Sequence, residues 1–186
     1  MTATNNQTAI MEKEDKWCAH NYHPLPVVIT KGAGTKLWDV DGNEYLDFMS
    51  AYSAVSMGHS NPRLLKAMTD QASRLTITSR AFYTDKLGGF VEKLCGITGM
   101  DMCIPMNTGA EAVETAVKAA RRWGYRIKGI ADDKAEILVA EGNFHGRTTT
   151  IVGFSSDKEY QKDFGPFDGG FKIVSYGDIE ALKSAI

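Results

Sequence analysis

Met102-Cys103-Ile104-Pro105-Met106 runs into Asn107-Thr108-Gly109-Ala110, after which Ala112, Val113, Ala116, Val117 and Ala120 form one apolar stripe extending toward Gly129. A short apolar run that stops at Asn-Thr-Gly and passes into a 3.6-residue period reads as a buried strand turning into an amphipathic helix. Beyond a polar connection, residues 136–140 are a second apolar run and residues 171–176 a third. Strand, helix and strand at this spacing make a βαβ unit. The expected class is therefore α/β, a mostly parallel sheet with covering helices. Asp178 then caps a short helix running to Ile186, and the reading expects an incomplete domain here.

Upstream, Thr35–Val40, the turn Asp41-Gly42-Asn43 and Glu44–Phe48 read as a β-hairpin. Asn61-Pro62 supplies a cap and a first-turn proline for a helix reaching about Arg74, and Thr84 opens another with Leu87, Val91 and Leu94 inward. Residues 1–16 are polar and without apolar periodicity, so a mobile tail or irregular arm is expected there. The division that follows is a polar tail at 1–16, a hairpin-containing segment at 17–58 and the beginning of a larger α/β domain at 59–186.

The 186 residues are 43% hydrophobic and 24% charged with a formal charge of -2, a globular balance without the basic field that nucleic acid or an anionic membrane surface requires. No apolar run approaches the roughly 20 residues of a membrane helix and the start lacks a secretion-type apolar core, so a cytoplasmic protein is expected. Cys18, Cys95 and Cys103 form no CxxC and read as reduced thiols. His20, His23, His59 and His145 are scattered without accompanying carboxylates, so no metal site is expected.

Two loops carry chemical potential. Asn107–Ala110 lies where a strand enters its helix, and unpaired N–H groups at a helix N-terminus suit a phosphate. Gly109 allows close backbone approach, while Thr108 reads either as a hydroxyl donor to the phosphate or as a plain helix cap. No GxxxxGK[ST] or GxGxxG is present, so the phosphate should not belong to a nucleoside triphosphate. The second loop is Gly142-Asn143-Phe144-His145-Gly146-Arg147. Ligands of open α/β sheets sit outside the carboxyl ends of the strands, so both loops should face one crevice. There Phe144 could stack on a planar ring and Arg147 could hold a carboxylate, or the two are a core phenylalanine and a surface arginine.

The runs His20–Val27, Ser50–Val55, Leu75–Tyr83, Pro105–Ala112, Gly142–Thr148 and Phe164–Phe167, in this order, resemble the ornithine aminotransferases of class III. The resemblance implies a fold-type I enzyme dependent on pyridoxal 5'-phosphate, usually a homodimer with its active site at the subunit interface. It implies that Thr108, Gly109 and Ala110 hold the cofactor phosphate, that Phe144 stacks on the pyridine ring, that Arg147 takes a substrate carboxylate, and that Tyr22 and Tyr52 shape the ornithine pocket. The implied reaction converts ornithine and 2-oxoglutarate to glutamate semialdehyde and glutamate. Ser56-Met57 and His145 stand where the family often has Asn-Gln and an aromatic such as Trp. No lysine here matches the family's Schiff-base lysine, so no catalytic residue is assigned and the chain is expected to be inactive alone. A separate C-terminal half would complete it. The alternatives are another class III ω-amino acid aminotransferase, for acetylornithine or 4-aminobutyrate, or a non-catalytic remnant acting by mixed dimerisation.

Overall fold

The computed structural model describes residues 5–186, so the first four residues of the expected tail lie outside it. The chain forms two compact units, the first ending at Tyr83 and the second spanning Thr84–Ile186. The break between them falls after residue 83. Residues 75–86 carry no helix or strand.

In the first unit the expected irregular arm is a helix, α1, at Asn5–Trp17. Its weak periodicity hides a long-range tether at Gln7, which is 5% exposed. The Gln7 amide donates to Asp39 Oδ2 (3.3 Å) and Asp41 Oδ2 (2.5 Å), and its Oε1 accepts the Val28 N–H (3.3 Å). The sheet that receives it has strands β1 Ile29–Ala33, β2 Lys36–Asp39 and β3 Glu44–Leu46, antiparallel in that order. The expected hairpin is β2–β3, with Leu37 opposite Tyr45 and Trp38 opposite Glu44. Its turn is organised by Asp39, which accepts from the Asp41 and Asn43 N–H groups, the Asn43 amide and the Tyr45 hydroxyl at 2.8–3.0 Å. Burial pushes the Asp39 carboxyl up, but these hydrogen bonds outweigh it and bring its pKa down to about 2. A one-turn segment α2 at Ser50–Ser53 follows, then α3 at Pro62–Ala72, whose first N–H groups are accepted by the Asn61 side chain as expected.

The second unit opens with α4, Leu87–Thr98. Thr84 lies three residues before it, accepting the Leu87 N–H at 3.2 Å, and Gly99 in the left-handed region ends the helix. Next come α5 Gly109–Arg126, β4 Ile137–Ala140, α6 Thr149–Gly153, α7 Lys158–Gln161, β5 Phe171–Val174 and α8 Ile179–Ala185. Strands β4 and β5 pair in parallel, from Ile137 opposite Phe171 to Ala140 opposite Val174, with α6 and α7 in the crossover. This is an α/β unit. The run 102–106, expected as the first parallel strand, is corrected: it takes no strand pairing with any described residue. A strand exists through its neighbour's hydrogen bonds, and Pro105 has no N–H to give. Met102 and Ile104 accordingly stand 88% and 74% exposed.

The core of this unit is Val139, Ile151 and Phe154, against which Ala110, Val113, Ile137 and Phe171 pack. Burying side chains of this size contributes about 1.5–3 kcal/mol each. Phe154 stacks obliquely on Phe171 at 4.5 Å, and Arg121 covers that ring at 5.0 Å while donating to the Gly169 carbonyl. Through Ala110, Val113 and Ile151 the same core fixes the first turn of α5 beside the loop after β4.

Candidate functional site

The start of α5 is a capping box. Thr108, in extended conformation, accepts the Glu111 N–H at 3.1 Å, and the Glu111 carboxylate accepts the N–H groups of Thr108 and Asn107, each at 3.0 Å. The Thr108 oxygen is therefore engaged as a cap, the plainer of its two sequence readings. Gly109 and Ala110 are the first two residues of the helix, whose N–H groups have no intrahelical acceptor. A Cβ built on Gly109 would meet no atom within 4 Å. Two outward donors beside open space fit a phosphate oxygen.

The loop after β4 lies directly against this turn. Gly146, at φ +133°, packs so closely that a Cβ on it would stand 2.8 Å from the Ala110 Cβ and 3.1 Å from Ile151 Cδ1. Only glycine suits both that backbone angle and that separation. The Thr148 hydroxyl adds a bond to Glu114 of α5 at 2.5 Å. Behind the loop, the Asn143 amide donates to the Ala140 and Phe154 carbonyls, and the Gly142 N–H donates to Ser156 Oγ. Phe144 projects outward, 64% exposed, with the Arg147 guanidinium 5.9 Å from its ring centre. His145 turns the other way and meets Phe154 edge-on at 5.7 Å. A cavity of about 280 Å³ opens here, lined by Phe144, Arg147, Tyr160, Phe164 and Phe167 among others. Arg147, in the lining of this cavity beside Phe144, can hold a carboxylate. The structure thus brings together Gly109, Ala110, Phe144 and Arg147 in the second unit.

Tyr22 and Tyr52 belong to the first unit. Their phenol oxygens lie 3.5 Å apart although 30 residues separate them, and the side chains are 55% and 76% exposed. Tyr52 sits in α2, where Ser50, Ala51, Tyr52 and Ser53 have φ of 47°, 46°, 55° and 72°, a left-handed turn without glycine. Such residues cost roughly 1–2 kcal/mol each. The turn is held by Asp47, whose Oδ1 accepts the Met49 and Ser50 N–H groups at 2.9 and 2.8 Å and whose Oδ2 is 2.6 Å from His59 Nε2. The bond from His59, then those from the Ser50 and Met49 backbone, holds the Asp47 carboxyl below its ordinary range against the effect of burial. Asp47, His59 and Glu111 were not singled out in the sequence. The signal for Asp47 was an Asp three residues before a Ser, an arrangement suited to an Asx turn, and nothing marks His59 as its partner.

Over residues 17–185 the chain matches the family described as aminotransferase class-III. It is 58% identical over 186 residues to an ornithine aminotransferase of Brevibacillus brevis, covering 100% of this chain and 46% of that protein, and 53% identical to that of Bacillus subtilis with the same coverage. Among solved structures, an ornithine aminotransferase of Toxoplasma gondii superposes with TM-score 0.94 at 40% identity, over 99% of this chain and 43% of that one. An acetylornithine aminotransferase of Elizabethkingia anophelis superposes with TM-score 0.82 at 54% identity, over 98% and 44%. The chain spans somewhat under half the length of these relatives.

Proposed function

The chain belongs to the class-III aminotransferases, and from that premise we propose that it contributes the N-terminal part of an ornithine δ-aminotransferase, which uses 2-oxoglutarate as amino acceptor and pyridoxal 5'-phosphate as cofactor. In the proposal the Gly109 and Ala110 N–H groups, beside the Thr108 cap, hold the cofactor phosphate. The exposed face of Phe144 covers the pyridine ring, and Arg147 takes a substrate carboxylate in a bidentate pair. Bound there, pyridoxal phosphate supplies an electron sink for the carbon that exchanges its amine. This chain's own residues bind, orient and shield. Proton movement is proposed to fall to residues of the enzyme other than these. The assembled enzyme is proposed to be a cytoplasmic homodimer; among the described residues no helix is long and apolar enough to cross a membrane.

The observation that carries the ornithine reading is the tyrosine pair. Two exposed phenols 3.5 Å apart offer hydroxyls to the free α-amino and α-carboxylate groups of an amine that reacts at its far end. An acylated α-nitrogen would lose its charge, and a monoamine such as 4-aminobutyrate has no such group. A site built to hydrogen-bond a polar group rejects analogues lacking it far more strongly than an apolar pocket rejects an extra carbon.

The test supplies the chain with the C-terminal half of a relative, adds pyridoxal phosphate and 2-oxoglutarate, and measures glutamate formation from ornithine, N-acetylornithine and 4-aminobutyrate. Expected is a kcat/KM for ornithine at least about tenfold above the others, with Tyr22→Phe removing most of that preference. Preference for either alternative amine would overturn the ornithine reading. Absence of activity from all three would overturn the enzyme reading and leave the mixed-dimer role.

A further inference from the structure

We propose that Asp47 and His59 are positioning residues for substrate recognition, acting through the left-handed turn that carries Tyr52. This rests on the reading of Tyr52 as part of the amine pocket.

Four consecutive left-handed residues without glycine persist only where the surroundings over-determine them. Packing of Tyr52 itself does not do so, because that side chain is 76% exposed. The turn is fixed at its entrance. Asp47 Oδ1 receives the Met49 and Ser50 N–H groups, and Asp47 Oδ2 receives His59 Nε2 at 2.6 Å. His59 is itself immobilised: its N–H and carbonyl exchange hydrogen bonds with Gly34 at 2.8 and 2.9 Å. Its ring lies so close to β1 that a Cβ on Gly32 would stand 2.8 Å from the ring's Cγ. Asp47 also donates its own N–H to the Thr35 carbonyl at 2.9 Å. From the far side the turn closes with the Tyr52 N–H on the Met49 carbonyl and the Val55 N–H on the Ser50 carbonyl, both at 3.0 Å.

The result is a rigid line from the β1–β2 hairpin through His59 and Asp47 to the Tyr52 backbone, ending at a phenol placed 3.5 Å from that of Tyr22. An exposed residue held in an unfavourable conformation gains nothing from burial. What the conformation secures is the place of its hydroxyl. Removing the anchor should release the turn toward right-handed geometry and carry the phenol away from its neighbour.

Three substitutions test this in the enzyme that carries the chain. Asp47→Ala removes both sets of bonds, Asp47→Asn keeps an acceptor for the two N–H groups, and His59→Phe keeps a ring against Gly32 while deleting the bond to Asp47. Expected for Asp47→Ala is an ornithine KM raised about tenfold or more with kcat within about twofold, and little change for an amine lacking the α-amino group. Asp47→Asn should recover part of the loss and His59→Phe should fall between. In a Tyr52→Phe background the Asp47→Ala effect should disappear, because the two act through one group. Independent, additive losses would overturn the proposal.

A second readout needs no turnover. With 3-fluorotyrosine incorporated, the Tyr52 fluorine resonance, assigned through Tyr52→Phe, should move in Asp47→Ala and His59→Phe, whereas those of Tyr125 and Tyr160 should not. An unmoved Tyr52 resonance in folded His59→Phe protein overturns the proposal even if Asp47→Ala fails to fold. Unchanged ornithine kinetics in Tyr52→Phe would instead remove the pocket role of Tyr52, and the fluorine spectra would still decide whether the pair positions it.

Discussion

Asp39 shows how one buried carboxylate organises the first unit. It is 2% exposed and surrounded by donors from its own turn, from Tyr45 and from Gln7 of α1. The Tyr45 phenol is pushed up by the same contact, since the hydrogen bond to Asp39 favours its protonated form. The folded pKa of Asp39, about 2, lies below the ordinary 3.8. The linked stability is therefore fully present above the unfolded value and is lost as pH falls through the folded one. Urea unfolding of the chain assembled with the C-terminal half of a relative, between pH 7 and pH 2, should show stability declining below about pH 4. Asp39→Asn should be less stable at neutral pH and show a shallower decline. A wild-type acid limb unchanged by the substitution would remove Asp39 from that role. At this scale the sequence disclosed part of the candidate site. Gly109 and Ala110 were legible as the start of a helix, and Phe144 and Arg147 as a loop after an apolar run, where α/β folds bind ligands. Tyr22 and Tyr52 were legible only through family resemblance. Asp47 and His59 were not legible, because Ser50-Ala51-Tyr52-Ser53 contains neither Gly nor Asn to announce a left-handed backbone.

Among the elements, α5 matters most because its first turn is both a cap and the proposed phosphate cradle. The Glu111 carboxylate completes the capping box yet places negative charge within one turn of the Gly109 and Ala110 donors. Capping and the proposed phosphate binding would oppose one another there. Glutamine supports the same box without the charge, so Glu111→Gln should change stability by no more than about 1 kcal/mol and tighten pyridoxal phosphate binding. Fluorescence titration of the cofactor checks this. A weaker affinity in the folded variant would mean that the carboxylate helps to build the cradle instead of repelling its ligand. The elements that announced themselves did so by local chemistry: Asp41-Gly42 for the β2–β3 hairpin, Asn61-Pro62 for α3, Thr108 for α5 and Asp178 for α8. Those that did not depend on distant partners. Helix α1 is anchored by Gln7 across more than 30 residues, and β1 exists by pairing with β2. Residues 102–106 are the converse case, a strand-like pattern left without a partner strand among the described residues.

The molecule as a whole exposes 15180 Å² at 20.4 kDa. Two separate compact bodies of half that mass would together expose roughly 10,600 Å², so the excess does not come from the division into units. It is carried by large apolar side chains that an ordinary core would bury, among them Phe48, Tyr83, Ile97, Met102 and Ile104, each more than 70% exposed. At about 25 cal/mol per Å², leaving such residues in water forgoes several kcal/mol that another polypeptide surface could recover. Isolated, the chain should bind the dye ANS strongly, elute well above 20.4 kDa and unfold without a sharp transition. Mixed with the C-terminal half of a relative, it should co-elute with that partner, lose most of its dye binding and melt cooperatively. Addition of pyridoxal phosphate to the mixture should raise the melting temperature further, since a ligand stabilises the state that binds it. A sharp monomeric transition with little dye binding in the chain alone would show that these apolar surfaces find one another in solution. It would then be the 186 residues, not an assembly, that must be asked for the cofactor site.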